Sequence, residues 1–150
     1  MSTRSNIGII NTNGSVIAIY IHSDGYPSGV GKTLLDNYNT ADKVRELLKL
    51  GDLSVLGTVI GEKHDFDWGG EYGFDWDKRR ADPRYKMCLA YGRDRGEKGT
   101  GARKYKTVKE ACEALDNAYT YLFNPADNRW SFREGDGPFE PLDAEACKRN

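Results

Sequence analysis

Apolar residues in this chain fall in short runs rather than in long helical stripes. Residues 7–10 form one run. Asn13-Gly14 follows, and both residues tolerate the positive φ of a tight hairpin turn. Residues 16–22 make the return strand. Ile17, Ile19 and Ile21 share one of its faces; Val16, Ala18 and Tyr20 share the other. A strand apolar on both faces is central in a sheet or covered twice. Beyond it, Leu34, Leu35 and Tyr38 recur at helical spacing. Thr40 suits the cap of a second helix whose Val44, Leu47 and Leu48 share a face and which Gly51 stops.

Residues 53–60 are apolar but interrupted by Gly57, and predict a short strand. Residues 87–92 predict another, with residues 93–97 as the polar turn after it; residues 99–103 read as mobile. Thr107-Val108-Lys109-Glu110 has the spacing of a capping box, because the two side chains can satisfy each other's backbone donors. Val108, Ala111, Cys112 and Leu115 are that helix's apolar stripe. Residues 119–123 and 130–132 flank a turn at Asn124-Pro125-Ala126-Asp127-Asn128, a second hairpin. The tail is expected to wrap the surface and end in a helical turn near Ala144. Two hairpins without regular strand–helix alternation predict an α+β fold. The expected form is a single domain, with a mostly antiparallel sheet of about five strands and helices on one face.

Residues 62–84 do not fit that scheme and read as an irregular insertion. They hold a near repeat, Phe66-Asp67-Trp68 and Phe74-Asp75-Trp76, around Gly69-Gly70-Glu71-Tyr72-Gly73. Asp65, Asp67 and the two glycines echo a calcium loop, but Trp76 stands where the bidentate acid belongs. Long loops of this kind are often functional. Trp68 and Trp76 are therefore candidate anchors for a partner, or aromatics folded back on the domain.

The stretch His22-Ser23-Asp24-Gly25-Tyr26-Pro27-Ser28-Gly29-Val30-Gly31-Lys32-Thr33 resembles part of a phosphate-binding loop. That loop needs Gly, four residues, Gly, Lys and Ser or Thr. Tyr26 occupies the leading glycine's place, and the preceding strand belongs to a hairpin rather than a parallel sheet. The plain reading is a tight turn feeding a helix, with Gly25, Gly29 and Gly31 present for backbone geometry. The other is a small phosphate-containing ligand held at the helix start by Gly29, Gly31, Lys32 and Thr33. His22 beside Asp24 could orient an imidazole, or simply satisfy a strand end.

The 150 residues carry a net charge of −1, unevenly placed: residues 78–109 hold 12 basic and 3 acidic side chains. A band like that is a solvated surface paired with acidic neighbours, or a nucleic-acid surface. Cys88, Cys112 and Cys147 show no metal or disulfide spacing, which predicts reduced thiols in a cytoplasm. Neither a signal peptide nor a membrane segment is expected. No catalytic constellation, metal cluster or cofactor is expected either. The turns at residues 24–31 and 93–97 are expected to meet at one end of the sheet. Asp24 would then reach Arg93 or Arg95, with Asp94 beside them.

Three segments resemble a family of small proteins carried by tailed bacteriophages. They are Arg4-Ser5-Asn6-Ile7-Gly8-Ile9, the stretch from Ile19 through Asp24-Gly25-Tyr26-Pro27 to Gly31, and Ala90-Tyr91-Gly92-Arg93-Asp94-Arg95-Gly96-Glu97. The resemblance implies an accessory protein acting in a bacterial cytoplasm. Such proteins commonly bind and redirect a host protein or blunt a defence system.

Overall fold

Asn13-Gly14 folds the N-terminal segment back on itself, with Gly14 at φ 84°. In the computed structural model, which describes residues 2–150, strands β1 (Ser5–Ile10) and β2 (Val16–Ile21) pair antiparallel with Ile7 opposite Ile19. The chain then makes a π-helical turn, Pro27–Gly31, which runs directly into α1 (Lys32–Asn37). Thr40 caps α2 (Ala41–Leu48), its Oγ1 accepting from the Lys43 amide. Gly51, at φ 74°, turns the chain into β3 (Leu53–Val55), which lies parallel to β2.

Residues 62–84 stand outside the sheet as a series of short ordered turns. A 3-10 turn (Trp68–Tyr72) is followed by α3 (Trp76–Ala81) and a second 3-10 turn (Pro83–Lys86). β4 (Leu89–Ala90) then pairs antiparallel with β3 and leads into α4 (Tyr91–Arg95). β5 (Arg103–Tyr105) pairs with β2. α5 (Val108–Ala114) opens on Thr107, whose Oγ1 accepts from the Glu110 amide at 3.0 Å. β6 (Tyr119–Asn124) and β7 (Arg129–Glu134) form the second hairpin, and β8 (Glu140–Pro141) extends it.

The strand order is β4-β3-β2-β1-β6-β7-β8, with β5 on β2. Pairing is mostly antiparallel; β1 with β6 and β2 with β3 are parallel. The fold is thus mixed α and β around one sheet, as expected. It has eight strands where about five were expected. The two strands that the sequence does not mark, β5 and β8, are two or three largely polar residues with no apolar alternation.

Alternation along the strands divides the core. Ile7, Ile9, Ile19, Ile21, Tyr121, Phe123, Trp130 and Phe132 face α1 and α2. Val16, Ala18 and Leu122 face α5 through Ala111 and Leu115. Helices therefore lie on both faces, not one. The doubly apolar pattern of β2 already carried that information. Gly8 makes room on the second face, where a Cβ would come within 3.0 Å of Leu122 and of the Ile17 carbonyl.

Candidate functional site

The glycine turn at the end of β2 is held by its own backbone. The Ser28 amide donates to the Arg149 carbonyl, Gly29 to Tyr26, and Val30 to Asp24, all at 2.8–2.9 Å. Thr33 Oγ1 donates to the Gly29 carbonyl and Tyr121 to that of Gly25. Lys32 Nζ pairs with Asp36 at 2.9 Å on the surface. A phosphate-binding loop needs free amides pointing at the ligand, and these three are engaged. The glycines serve close packing instead. A Cβ on Gly25 would lie 2.8 Å from the Thr3 carbonyl, and one on Gly29 would overlap the Asp24 carbonyl.

The expected link between the two turns is absent from the fold. β4 runs opposite to β2, so α4 begins beside Asp52, whose carbonyl accepts from the Tyr91 amide. The residues after β4 thus run away from the turn after β2, and Asp24 pairs with neither Arg93 nor Arg95. Asp24, at φ 56°, accepts from the Tyr26 hydroxyl at 2.9 Å. That hydrogen bond, together with burial, raises the Tyr26 pKa. His22 Nδ1 meets the Tyr20 hydroxyl at 2.8 Å rather than Asp24.

Arg93, Asp94 and Arg95 have structural work of their own. Asp94 is buried and accepts from Arg93 Nε and from the amides of Ala90 and His64. Arg93 also donates to the carbonyls of Ile60 and Cys88. Together they tie the start of the insertion to α4. Burial pushes the Asp94 carboxyl up, but the hydrogen bonds from Arg93 and the two amides outweigh it and leave its pKa below the usual value. Arg95 pairs with Glu97 and lies 4.6 Å from the Phe66 ring centre.

The insertion is where candidate residues do come together. Asp65 accepts from the Asp67 amide, and Asp75 caps α3 by accepting from Lys78. Arg84 is held by Asp82 at 2.8 Å and by both oxygens of Glu71 at 2.8 and 3.3 Å; Tyr72 donates to Asp82 at 2.6 Å. These bonds to Arg84 and Tyr72 hold the Asp82 carboxyl well below the usual carboxylate range. Trp68 is 7% exposed and sits inside the insertion, with the Arg84 guanidinium 5.1 Å from its ring centre. Arg79 lies 4.6 Å from the Trp76 ring centre and 5.7 Å from that of Trp68. Among the described residues it has no carboxylate partner.

These side chains line a cleft of about 490 Å³ between the insertion and the end of β2. Its floor is Val55, Leu56, Met87 and Leu89; Ser23 and Asp24 form the far rim. A second hollow of about 250 Å³, beside Lys32 and Asp36, shares Ser23, Asp24, Val55, Leu56 and Thr58 with it. The two make one groove. The fold therefore joins Asp24 and the glycine turn to Trp68 and Trp76, and sends Arg93–Arg95 elsewhere. Sequence reasoning missed Arg79, Arg84 and Tyr85 as groove residues. The spacing of Trp76 and Arg79, three apart on one helix, was the available signal.

Half of the basic band, six of its twelve side chains, is matched. Lys78, Arg80, Arg84, Arg93, Arg95 and Arg103 all lie within salt-bridge distance of carboxylates. Among the described residues, Arg79, Lys86, Lys98, Lys104, Lys106 and Lys109 have no such partner. No helix of the described residues is long and apolar enough to cross a membrane. No family model matches the chain, and neither a curated protein nor a solved structure matches it.

Proposed function

We propose that this is a non-enzymatic accessory protein of bacteriophage type, acting in a bacterial cytoplasm by binding and inhibiting or redirecting a host protein. The observation that carries the reading is the apolar exposure on the insertion. Phe74 is 95% exposed, Trp76 49% and Tyr85 48%. These rings are not on a loose tether: the Glu71–Arg84–Asp82–Tyr72 network fixes the turns that carry them. Rigid aromatics lose little conformational freedom on binding and are enriched at interface hot spots. The resemblance of residues 4–9, 19–31 and 90–97 to small phage proteins supports the setting.

The test is affinity capture from a bacterial lysate with the wild-type chain and with a Phe74→Ser, Tyr85→Ser double variant. A protein retained by the first and lost with the second supports the reading. Recovery of nothing specific, or of the same proteins by both, overturns it.

A further inference from the structure

We infer that the groove between the insertion and the end of β2 is a peptide site, taking a partner segment in which one acidic side chain adjoins a bulky apolar one. This rests on the insertion being a protein-binding face, and it names the chemistry that face selects.

The argument begins with Arg79. Its guanidinium lies against Trp76 and Trp68, in space left open by Gly69, where a Cβ would overlap it. Stacking on an indole holds the plane of a guanidinium while leaving its N–H edge available to a carboxylate in that plane. Every other arginine of the insertion already has an acid: Arg80 has Asp77, and Arg84 has Asp82 and Glu71. Arg79 lines the cleft without one.

The charge of the groove then limits the ligand. Lys32 is matched by Asp36 and Arg84 by two carboxylates. Arg79 and Lys86 remain, against Asp24 on the opposite rim. Of the two arginines lining the cleft, Arg79 is the one left to take a carboxylate. One carboxylate fits; a polyphosphate would bring several charges to a rim that already bears Asp24, and the nearby loop amides are engaged.

The rest of the groove is apolar. Val55, Leu56, Met87 and Leu89 form the floor, and Trp76 and Tyr85 are half exposed at its edge. A volume of about 490 Å³ accommodates one large side chain and its neighbours. A peptide would place its apolar residue on the floor and its carboxylate on the Arg79 edge. The apolar contact would supply most of the affinity and the charge-assisted bond the selection.

The experiment is panning of a random twelve-residue peptide display library against the full chain and against Arg79→Gln. The wild-type chain is expected to enrich peptides with Asp or Glu next to Leu, Ile, Met or an aromatic residue. A synthetic peptide of the enriched sequence should bind Arg79→Gln at least tenfold more weakly, and its Glu→Gln version should show the same loss against the wild type. Thermal melting of Arg79→Gln, with Arg79→Lys as a second variant that keeps charge but not the planar fork, separates lost recognition from lost fold. Enrichment without acidic residues, no enrichment, or equal binding by Arg79→Gln overturns the inference. So does displacement of the peptide by ATP or by an oligonucleotide. If lysate capture still depends on Phe74 and Tyr85 while panning fails, the protein-binding reading stands and the peptide site falls.

Discussion

Arg103 holds Asp52 with two parallel hydrogen bonds of 2.9 Å, Nη1 to Oδ1 and Nη2 to Oδ2. Asp52 is buried, and its Oδ1 also accepts from the Tyr20 amide at 2.9 Å. One carboxylate thereby joins β5 to β2 just before β3, where the ladder on β2's outer edge is broken between its two short partners. Removing the carboxylate leaves the Tyr20 amide without its acceptor. Asp52→Ala should cost about 2 kcal/mol in urea denaturation, typical of an orphaned buried donor. Arg103→Lys should recover only part of the difference between Arg103→Ala and wild type, because an ammonium cannot match both oxygens. Equal stability of the Lys and Arg chains would show that the fork is unimportant.

Asp94 gives a pH dependence with a definite sign. Its folded pKa lies below the ordinary carboxylate value despite burial, because Arg93 and two amides hold the ionised form. A group with a depressed folded pKa contributes stability that is fully present above its unfolded pKa, near 3.9. That contribution disappears as pH falls through the folded value. Stability measured in urea should therefore drop between about pH 5 and about pH 3, and Asp94→Asn should show a shallower drop. Identical acid dependence in both chains would remove Asp94 from this role. At neutral pH, Asp94→Asn should itself cost on the order of 2 kcal/mol, since Arg93 keeps a weaker acceptor.

The glycine turn makes opposite predictions for two neighbouring residues. Gly29→Ala places a Cβ on the Asp24 carbonyl and should destabilise by roughly 1–3 kcal/mol, the usual range for forced overpacking. Lys32→Ala removes only an exposed pair with Asp36 and should leave the melting midpoint unchanged. A phosphate loop would give a different pattern: stabilisation by nucleotides that Lys32→Ala abolishes. Thermal-shift measurements with and without ATP separate the two.

Local chemistry was legible in the sequence; long-range pairing was not. The Asn13-Gly14 hairpin, the Thr40 and Thr107 caps, and the Val44, Leu47 and Leu48 stripe all stand where spacing put them. Each depends on residues within a few positions of one another. The parallel pairing of β1 with β6 joins residues more than a hundred apart, and no local pattern encodes it. The same limit misplaced Arg93 and Arg95. That a turn follows an apolar strand says nothing about which way the strand runs, and β4 runs against β2. Residues 99–103 looked mobile from their glycines, yet the Thr100 carbonyl accepts from the Asp52 amide at 2.7 Å and Arg103 grips its carboxylate. Of the candidate site, the tryptophans were visible as aromatics in a long insertion. The cleft beneath them needs the close approach of residues 23–24, 55–58 and 84–89, which only the fold supplies.

The insertion's rigidity can be tested without knowing its partner. Residues 62–84 contain four short-range devices that hold successive turns: Asp65 to the Asp67 amide, the Asp75 cap, Tyr72 to Asp82, and Arg84 to both Asp82 and Glu71. Arg84 makes the charged link between the two 3-10 turns, beside the Tyr72–Asp82 bond, because Glu71 lies in the first and Arg84 in the second. It also lies against Trp68, the buried ring of the insertion. Arg84→Gln should release this connection while leaving the sheet intact. Chymotrypsin reports the change directly, since it cleaves after aromatic residues and the substitution creates and destroys no such site. Phe74 is exposed in both chains, but cleavage requires the backbone around it to open locally. The variant should be cut within residues 66–76 several-fold faster than wild type, while near-ultraviolet circular dichroism from the core aromatics stays the same. Unchanged cleavage would mean that Phe74 and Trp76 are not held by this network, and the rigid-anchor argument for the binding face would lose its support.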